Sequence, residues 1–180
     1  MQIDALLDTL QTQAKKAGGK VIRLVGNHEF EILKKNYAIT NLPYFQIEPF
    51  RKKMVEMIAQ DKLVAAHACN GFLITHAGIC DSLYLELQRE IKAPKLTASV
   101  IARHINKVFK EAVKNNIYVH KIFNITYLRG GPDFFGGIFW EDLSALNEHH
   151  KEVPFKQIVG HTRIPRLAAS EDRKIIAVDI

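Results

Sequence analysis

Hydrophobic positions near the N-terminus recur every three or four residues, which is the spacing of one face of an α-helix. Ile3, Leu6, Leu7, Leu10 and Ala14 carry this pattern, and the glycines of KAGGK end the predicted helix. The same spacing predicts helices in four later stretches: FEILKKN at 30–36, residues 47–64, SLYLELQREI at 82–91 and LTASVIARHINKVFKEAVKNN at 96–116.

Short apolar runs between the predicted helices are typical of buried strands. Four strands are predicted: VIRLV at 21–25, FLIT at 72–75, FKQIV at 155–159 and KIIAVDI at 174–180. Strands that alternate with helices indicate a layered α/β domain. Because no repeat or low-complexity linker divides the sequence, residues 1–180 are predicted to form one domain.

Composition narrows the class of protein. The 180 residues are 47% hydrophobic and 24% charged, as in ordinary soluble domains. Neither a membrane-spanning run nor a secretory signal is found, so a cytoplasmic protein without a membrane partner is expected. Cys69 and Cys80 form no paired motif, which fits a reducing compartment. The net charge of +6 comes from scattered basic residues, so nucleic-acid binding is disfavoured.

Three of the predicted strands lead directly into a turn that contains glycine and histidine. The turns are Gly-Asn-His-Glu at 26–29, His-Ala-Gly at 76–78 and Gly-His-Thr at 160–162. Ligand sites in α/β sheets form outside the carboxyl ends of strands, where such turns meet. Each turn alone has a structural explanation, since asparagine and an acid also suit a helix N-terminus. The three together predict one shared site.

This series of motifs resembles the calcineurin-like metallophosphoesterase superfamily, and most closely its branch of phosphoprotein phosphatases and diadenosine tetraphosphatases. The resemblance runs from the helix before Gly-Asn-His-Glu through FFGGIFWEDL to the closing IIAVD strand. It implies an α/β fold in which a two-layer β-sandwich is flanked by helices. It also implies metal-dependent hydrolysis of a phosphomonoester, or of a dinucleoside polyphosphate.

The resemblance assigns roles to individual residues. Asn27, His76 and His161 match the family's ligands to one divalent metal ion, and an amide with two imidazoles suits manganese, iron or zinc. His28 matches the catalytic histidine, which would act as general acid while metal-activated water attacks phosphorus. Glu29 is expected to orient its neighbours.

Two arginines are candidates for binding the substrate phosphate. Arg163 directly follows the Gly-His-Thr turn, and Arg129 lies in YLRGGPD. Arginine suits phosphate because its planar fork pairs with two oxygens. The family often has a further arginine after an aromatic residue near FFGGIFWEDL. Here Trp140 is followed by Glu141 and Asp142, which would repel a phosphopeptide.

Two family motifs that should precede Gly-Asn-His-Glu are absent from residues 1–25. They are Asp-x-His and Asp-x-x-Asp-Arg-Gly, which supply the first metal's ligands and the bridging aspartate. The sequence therefore predicts an N-terminally incomplete domain that holds at most one of the two metal ions and is weak or inactive alone. Uncovered strand edges would favour an oligomer or pairing with a missing N-terminal segment.

Two further expectations stay open at this stage. Residues 81–130 have no counterpart in the catalytic framework and are predicted to form a helical cap insertion, where substrate choice could reside. The favoured hypothesis is an enzyme that acts on a phosphorylated substrate, either a protein or a small molecule. The alternative is a non-catalytic binding module that keeps the phosphoesterase fold.

Overall fold

The computed structural model describes residues 2–180 as a mixed α/β fold. Its helices are α1 (Gln2–Lys16), α2 (Asn27–Leu33), α3 (Tyr44–Ala59), α4 (Asp81–Ile91), α5 (Ala98–Asn115) and α6 (Leu143–Glu148), with 3₁₀ turns at Lys121–Phe123 and Tyr127–Arg129. Its strands are β1 (Arg23–Leu24), β2 (Leu63–Val64), β3 (Ala66–Cys69), β4 (Phe72–Thr75), β5 (Lys156–Val159), β6 (Ala168–Ala169) and β7 (Ile175–Ala177). Among the described helices, none has the length and apolar character to cross a membrane.

The larger sheet has five strands in the order β3-β4-β5-β7-β6. Its centre is parallel, because β5 runs parallel to both β4 and β7. β3 and β6 add antiparallel edges. β1 and β2 form a separate parallel pair. A mixed α/β fold is confirmed, whereas within the described residues these two sheets do not establish the predicted two-layer β-sandwich.

The predicted helices are all present, and the differences lie mainly at their ends. α3 ends at Ala59, five residues before the predicted end, because Asp61 adopts a left-handed φ of 56° and Leu63 then pairs with β1. β3 was not predicted, since Ala-His-Ala-Cys is a weak strand pattern. Its signal was the Asn70-Gly71 turn, where both residues have positive φ and close the β3–β4 hairpin.

The core lies between the five-stranded sheet and α5. Ile101, Ile105 and Phe109 on one face of α5 are buried, as helical spacing requires. The Asn106 amide accepts hydrogen bonds from the backbone N–H of Ala65 and Ala66 and donates one to the Ala66 carbonyl. This part of residues 81–130 is thus a structural layer on the sheet. Whether the rest covers the site stays a prediction.

An open groove of about 660 Å³ runs between α1, α2 and α3. Ile3 and Leu7 of α1 line it, and Ile3 is 74% exposed. His28 and Glu29 line the groove on its α2 side. The groove therefore reaches the Gly-Asn-His-Glu turn.

Candidate functional site

The three sequence motifs meet beyond the carboxyl ends of the strands. β4 and β5 are parallel neighbours, so the turns that begin at His76 and Gly160 leave the sheet at the same edge. The Gly160 N–H donates a hydrogen bond of 2.8 Å to the His76 carbonyl, which joins the two turns directly. Asn27 opens α2 just after β1 and reaches the same place.

Asn27, His76 and His161 bring one donor atom each to a common point. His76 Nε2 lies 2.9 Å from Asn27 Oδ1 and 3.1 Å from His161 Nδ1. The two imidazole rings are tilted by 62° with their centroids 4.9 Å apart. The side chains are separated by 49 and 85 residues along the chain. The structure therefore shows the convergence that the sequence predicted for these three residues.

Hydrogen bonds among these three side chains do not satisfy both contacts of His76 Nε2 at once. If His76 Nε2 carries a proton and donates it to Asn27 Oδ1, it cannot also accept from His161 Nδ1. If it carries none, its lone pair faces the asparagine oxygen. On the far side of the second ring, His161 Nε2 is buried without a hydrogen-bond partner among the described residues. A cation bound by Asn27 Oδ1, His76 Nε2 and His161 Nδ1 would satisfy all three atoms together.

Burial keeps both histidines uncharged. The pKa of His76 and the pKa of His161 are both lowered to about 4, mainly by burial, and repulsion from the His76 ring contributes to the lowering at His161. Neutral imidazole is the form that binds metal ions. At neutral pH both rings can therefore serve as ligands without first losing a proton.

The backbone of the third motif is strained at the histidine itself. His161 has φ of +68°, a left-handed conformation that non-glycine residues adopt at a cost of about 1 kcal/mol or more. The left-handed residue of this turn is thus the histidine and not the preceding Gly160. Gly26 serves by its small size, because a Cβ there would lie 3.3 Å from the His76 ring.

A polar clamp holds the Gly-His-Thr turn in this conformation. Arg129 Nη2 donates to Thr162 Oγ1 at 2.5 Å and pairs with Asp142 Oδ2 at 2.8 Å. Asp142 is itself fixed, since it caps α6 by accepting from the Ser144 N–H. Trp140 packs its ring edge-on against His161, with centroids 5.5 Å apart. The sequence does not identify Asp142 and Thr162 as partners of Arg129, because nothing in the spacing of these residues predicts the contacts.

The remaining predicted site residues differ in their surroundings. Glu29 Oε2 accepts a hydrogen bond from the Gly26 N–H, so its carboxylate orders the Gly-Asn-His-Glu turn. His28 is exposed on the first turn of α2. Arg163 is also exposed. Arg129 has its Nη2 engaged by the clamp, so phosphate binding by either arginine stays a prediction.

The two acidic residues after Trp140 do not present free negative charge to the site. Asp142 is paired with Arg129. Glu141 is 1% exposed and accepts hydrogen bonds from the backbone N–H of Gly136 and Asp142. Burial raises the pKa of Glu141 to about 7. The expected repulsion of a phosphorylated substrate by these residues therefore has no support in the geometry.

We expect Glu141→Gln to change how stability depends on pH. The folded pKa of Glu141, about 7, exceeds its ordinary value of 4.5, so the carboxyl stabilises the fold most below pH 4.5 and this contribution is lost as pH rises to 7. Relative to the variant, the wild-type free energy of unfolding should fall by about 3 kcal/mol across that interval. Urea unfolding at several pH values measures it, and parallel pH profiles would contradict it.

Comparison with known proteins identifies the fold but no sequence family. No protein-family model and no curated protein matches the chain. A point mutant of a cold-active protein tyrosine phosphatase matches with 21% identity over 99% of this chain and 56% of that one, at a TM-score of 0.63. The cold-active protein tyrosine phosphatase of a psychrophilic Shewanella species matches with 23% identity over 94% and 52%, at 0.56.

A third structure, of a cold-active protein tyrosine phosphatase, has 21% identity over 99% of this chain and 55% of that one, with a TM-score of 0.58. The chain spans about half the length of these solved structures. At such identities the likeness concerns the fold alone. The chain therefore shares its mixed α/β fold with solved structures of phosphatases.

Proposed function

We propose that this chain carries a divalent-metal site and the proton donor of a phosphoester hydrolase of the calcineurin-like metallophosphoesterase type. The proposal is carried by the convergence of three side chains: His76 Nε2 lies 2.9 Å from Asn27 Oδ1 and 3.1 Å from His161 Nδ1. The shared fold with solved phosphatases supports the same class of reaction.

The donor atoms fit a transition-metal ion. Metal–ligand bonds of 2.0–2.2 Å place neighbouring ligands ~3 Å apart, which is close to the distances from His76 Nε2 to Asn27 Oδ1 and to His161 Nδ1. One amide oxygen and two imidazoles suit manganese, iron or zinc and need no thiolate. When bound, such an ion supplies positive charge that stabilises a phosphoryl group during hydrolysis. Asn27, His76 and His161 would hold it.

His28 is the residue that we propose as the proton donor. It follows Asn27 directly on α2, and its electrostatic influence reaches both His76 and His161. Its side chain is exposed on the groove, where the leaving group of a substrate can approach. An imidazole gives up a proton near neutral pH and so can protonate a departing alkoxide or phenoxide.

A cysteine nucleophile is the rival chemistry for a phosphatase, and the two cysteines fit it poorly. Nucleophilic attack needs a thiolate, which reactive cysteines form through a lowered pKa. Cys80 is fully buried, and burial raises its pKa to about 12. Cys69 ends β3 at the hairpin, with no part in the Asn27, His76 and His161 cluster. Metal-assisted hydrolysis is therefore the better match to these side chains.

The proposal is tested with the full chain loaded with Mn²⁺ and two substrates that differ in leaving group. We expect slow, metal-stimulated hydrolysis of phenyl phosphate that falls at least tenfold in His28→Gln, while Mn²⁺ affinity stays unchanged. With p-nitrophenyl phosphate the loss should be smaller, because its leaving group needs less protonation.

Two outcomes separate enzyme from binding module. Metal binding without any metal-stimulated hydrolysis would favour the non-catalytic alternative, in which the fold is kept for recognition alone. Equal losses on both substrates in His28→Gln would contradict the role of His28 as proton donor.

The clamp on the Gly-His-Thr turn gives a second expectation for the same site. Arg129→Met keeps the side-chain volume but removes the bonds to Thr162 and Asp142. The loss of these bonds should release His161 from its strained conformation. We expect Mn²⁺ affinity to fall about tenfold, as for residues that orient metal ligands. Calorimetric titration measures it. Arg163→Met is the matched control, since Arg163 is exposed, and an equal loss there would refute the clamp.

A further inference from the structure

A second cluster of metal-binding side chains lies away from the Asn27, His76 and His161 site. Glu90 in the last turn of α4, His104 on α5 and His120 before the first 3₁₀ turn each bring one ligand atom within 4.8 Å of the others. Glu90 Oε2 is 2.9 Å from His104 Nε2, and Glu90 Oε1 is 2.9 Å from His120 Nε2. The two histidines follow Glu90 by 14 and 30 residues, so three separate segments meet here.

The charge around this cluster favours a cation. The neighbouring basic side chains Lys121 and Arg89 both pair with Glu86. Among the described residues, the contacts that the Glu90 carboxylate makes are to the two imidazoles, so no lysine or arginine pairs with it.

We propose that Glu90, His104 and His120 form a zinc site that ties the end of α4 to α5 and to the segment that follows α5. Two imidazoles and one carboxylate are a frequent zinc ligand set, with water completing the tetrahedron. The side chains of Glu90, His104 and His120 are 32%, 22% and 21% exposed, so an ion can enter from solvent while the ligands stay preorganised.

Zinc binding should break one hydrogen bond at His120, and the loss of this bond can be measured. His120 Nδ1 now accepts a hydrogen bond of 3.2 Å from the Ile122 N–H. If Nε2 binds zinc, Nδ1 must carry the proton, and it can no longer accept. The ion therefore removes the cap from the 3₁₀ turn at Lys121–Phe123. The Ile122 amide should exchange its hydrogen faster in the presence of zinc, although the chain as a whole becomes more stable.

The test titrates Zn²⁺ at pH 8 into a His76→Ala background, which removes the other site from the count. We expect one Zn²⁺ per chain and a rise in Tm of about 5 °C at free zinc a hundredfold above Kd. His104→Gln with His120→Gln should abolish both effects. His149→Gln is the matched control, because His149 lies outside the cluster on a C-cap, and it should bind zinc as the background does.

Measurements on the otherwise unaltered chain keep the proposal falsifiable if the double variant does not fold. Imidazole nitrogen NMR should show Nε2 of His104 and His120 shifting on zinc addition, together with loss of protection at the Ile122 amide. Unchanged nitrogen shifts, or zinc binding that persists when Glu90→Gln is added to the His76→Ala background, would overturn the site. Neither result bears on the proposed hydrolase function, because that function rests on Asn27, His76 and His161.

Discussion

Replacing His76 by alanine should remove Mn²⁺ binding at the Asn27, His76 and His161 site. His76 Nε2 is the central atom of the cluster, since it contacts both Asn27 Oδ1 and His161 Nδ1. Its loss leaves two donors without the ligand between them. We expect the Kd for Mn²⁺ to rise by at least about 100-fold, which exceeds the effect of disturbing a residue that only orients a ligand.

The titration is cleanest in a chain that also carries His104→Gln and His120→Gln, so that the Glu90 cluster does not contribute. His67→Ala is the matched control. His67 is a partly buried histidine on β3 whose pKa is likewise lowered by burial, but it lies outside the cluster. We expect less than about a twofold change there. If the two alanine variants lost affinity equally, the convergence of the three side chains would have no bearing on metal binding.

The position of the cluster was predictable because it depends on a general property of sheets. Parallel strands end at one edge of a sheet, so the residues after FLIT and FKQIV were expected near each other, and the parallel pairing of β4 with β5 brings them together. Asn27 was less constrained, since β1 pairs with β2 rather than with the larger sheet. The inclusion of Asn27 in the predicted site therefore depended on the resemblance to metallophosphoesterases and not on strand topology.

The clamp and the acid next to it were not predictable in the same way. Arg129 and Thr162 are 33 residues apart, and their contact depends on the course of a loop with two glycines and a proline. Glu141 was interpreted as a charge facing the substrate, because acidic residues are rarely buried. The structure buries it where backbone N–H groups of Gly136 and Asp142 satisfy its oxygens. Such local satisfaction leaves no periodic signal in the sequence.

The largest loss of stability is expected from Phe30→Ala. Phe30 is fully buried and stacks on Phe139 at 4.4 Å and on Phe123 at 5.2 Å between ring centroids. Tyr118 packs edge-on against it at 5.5 Å. Truncation to alanine leaves a cavity and removes these aromatic contacts, so the free energy of unfolding should fall by about 3–5 kcal/mol. Thermal unfolding should show a Tm lower by about 10 °C.

Phe30 matters to the site because it anchors the helix that presents Asn27. The two residues are one turn apart on α2, a helix of seven residues whose N-cap residue, Gly26, has no side chain to accept from the helix N–H groups. A helix this short is marginal in water by itself, so packing of its apolar face must stabilise it. Phe45→Ala is the matched control, because Phe45 is 76% exposed and should change stability by less than about 0.5 kcal/mol. Equal effects of the two truncations would mean that the aromatic stack does not hold α2 in place, and the geometry of Asn27 would then need another source.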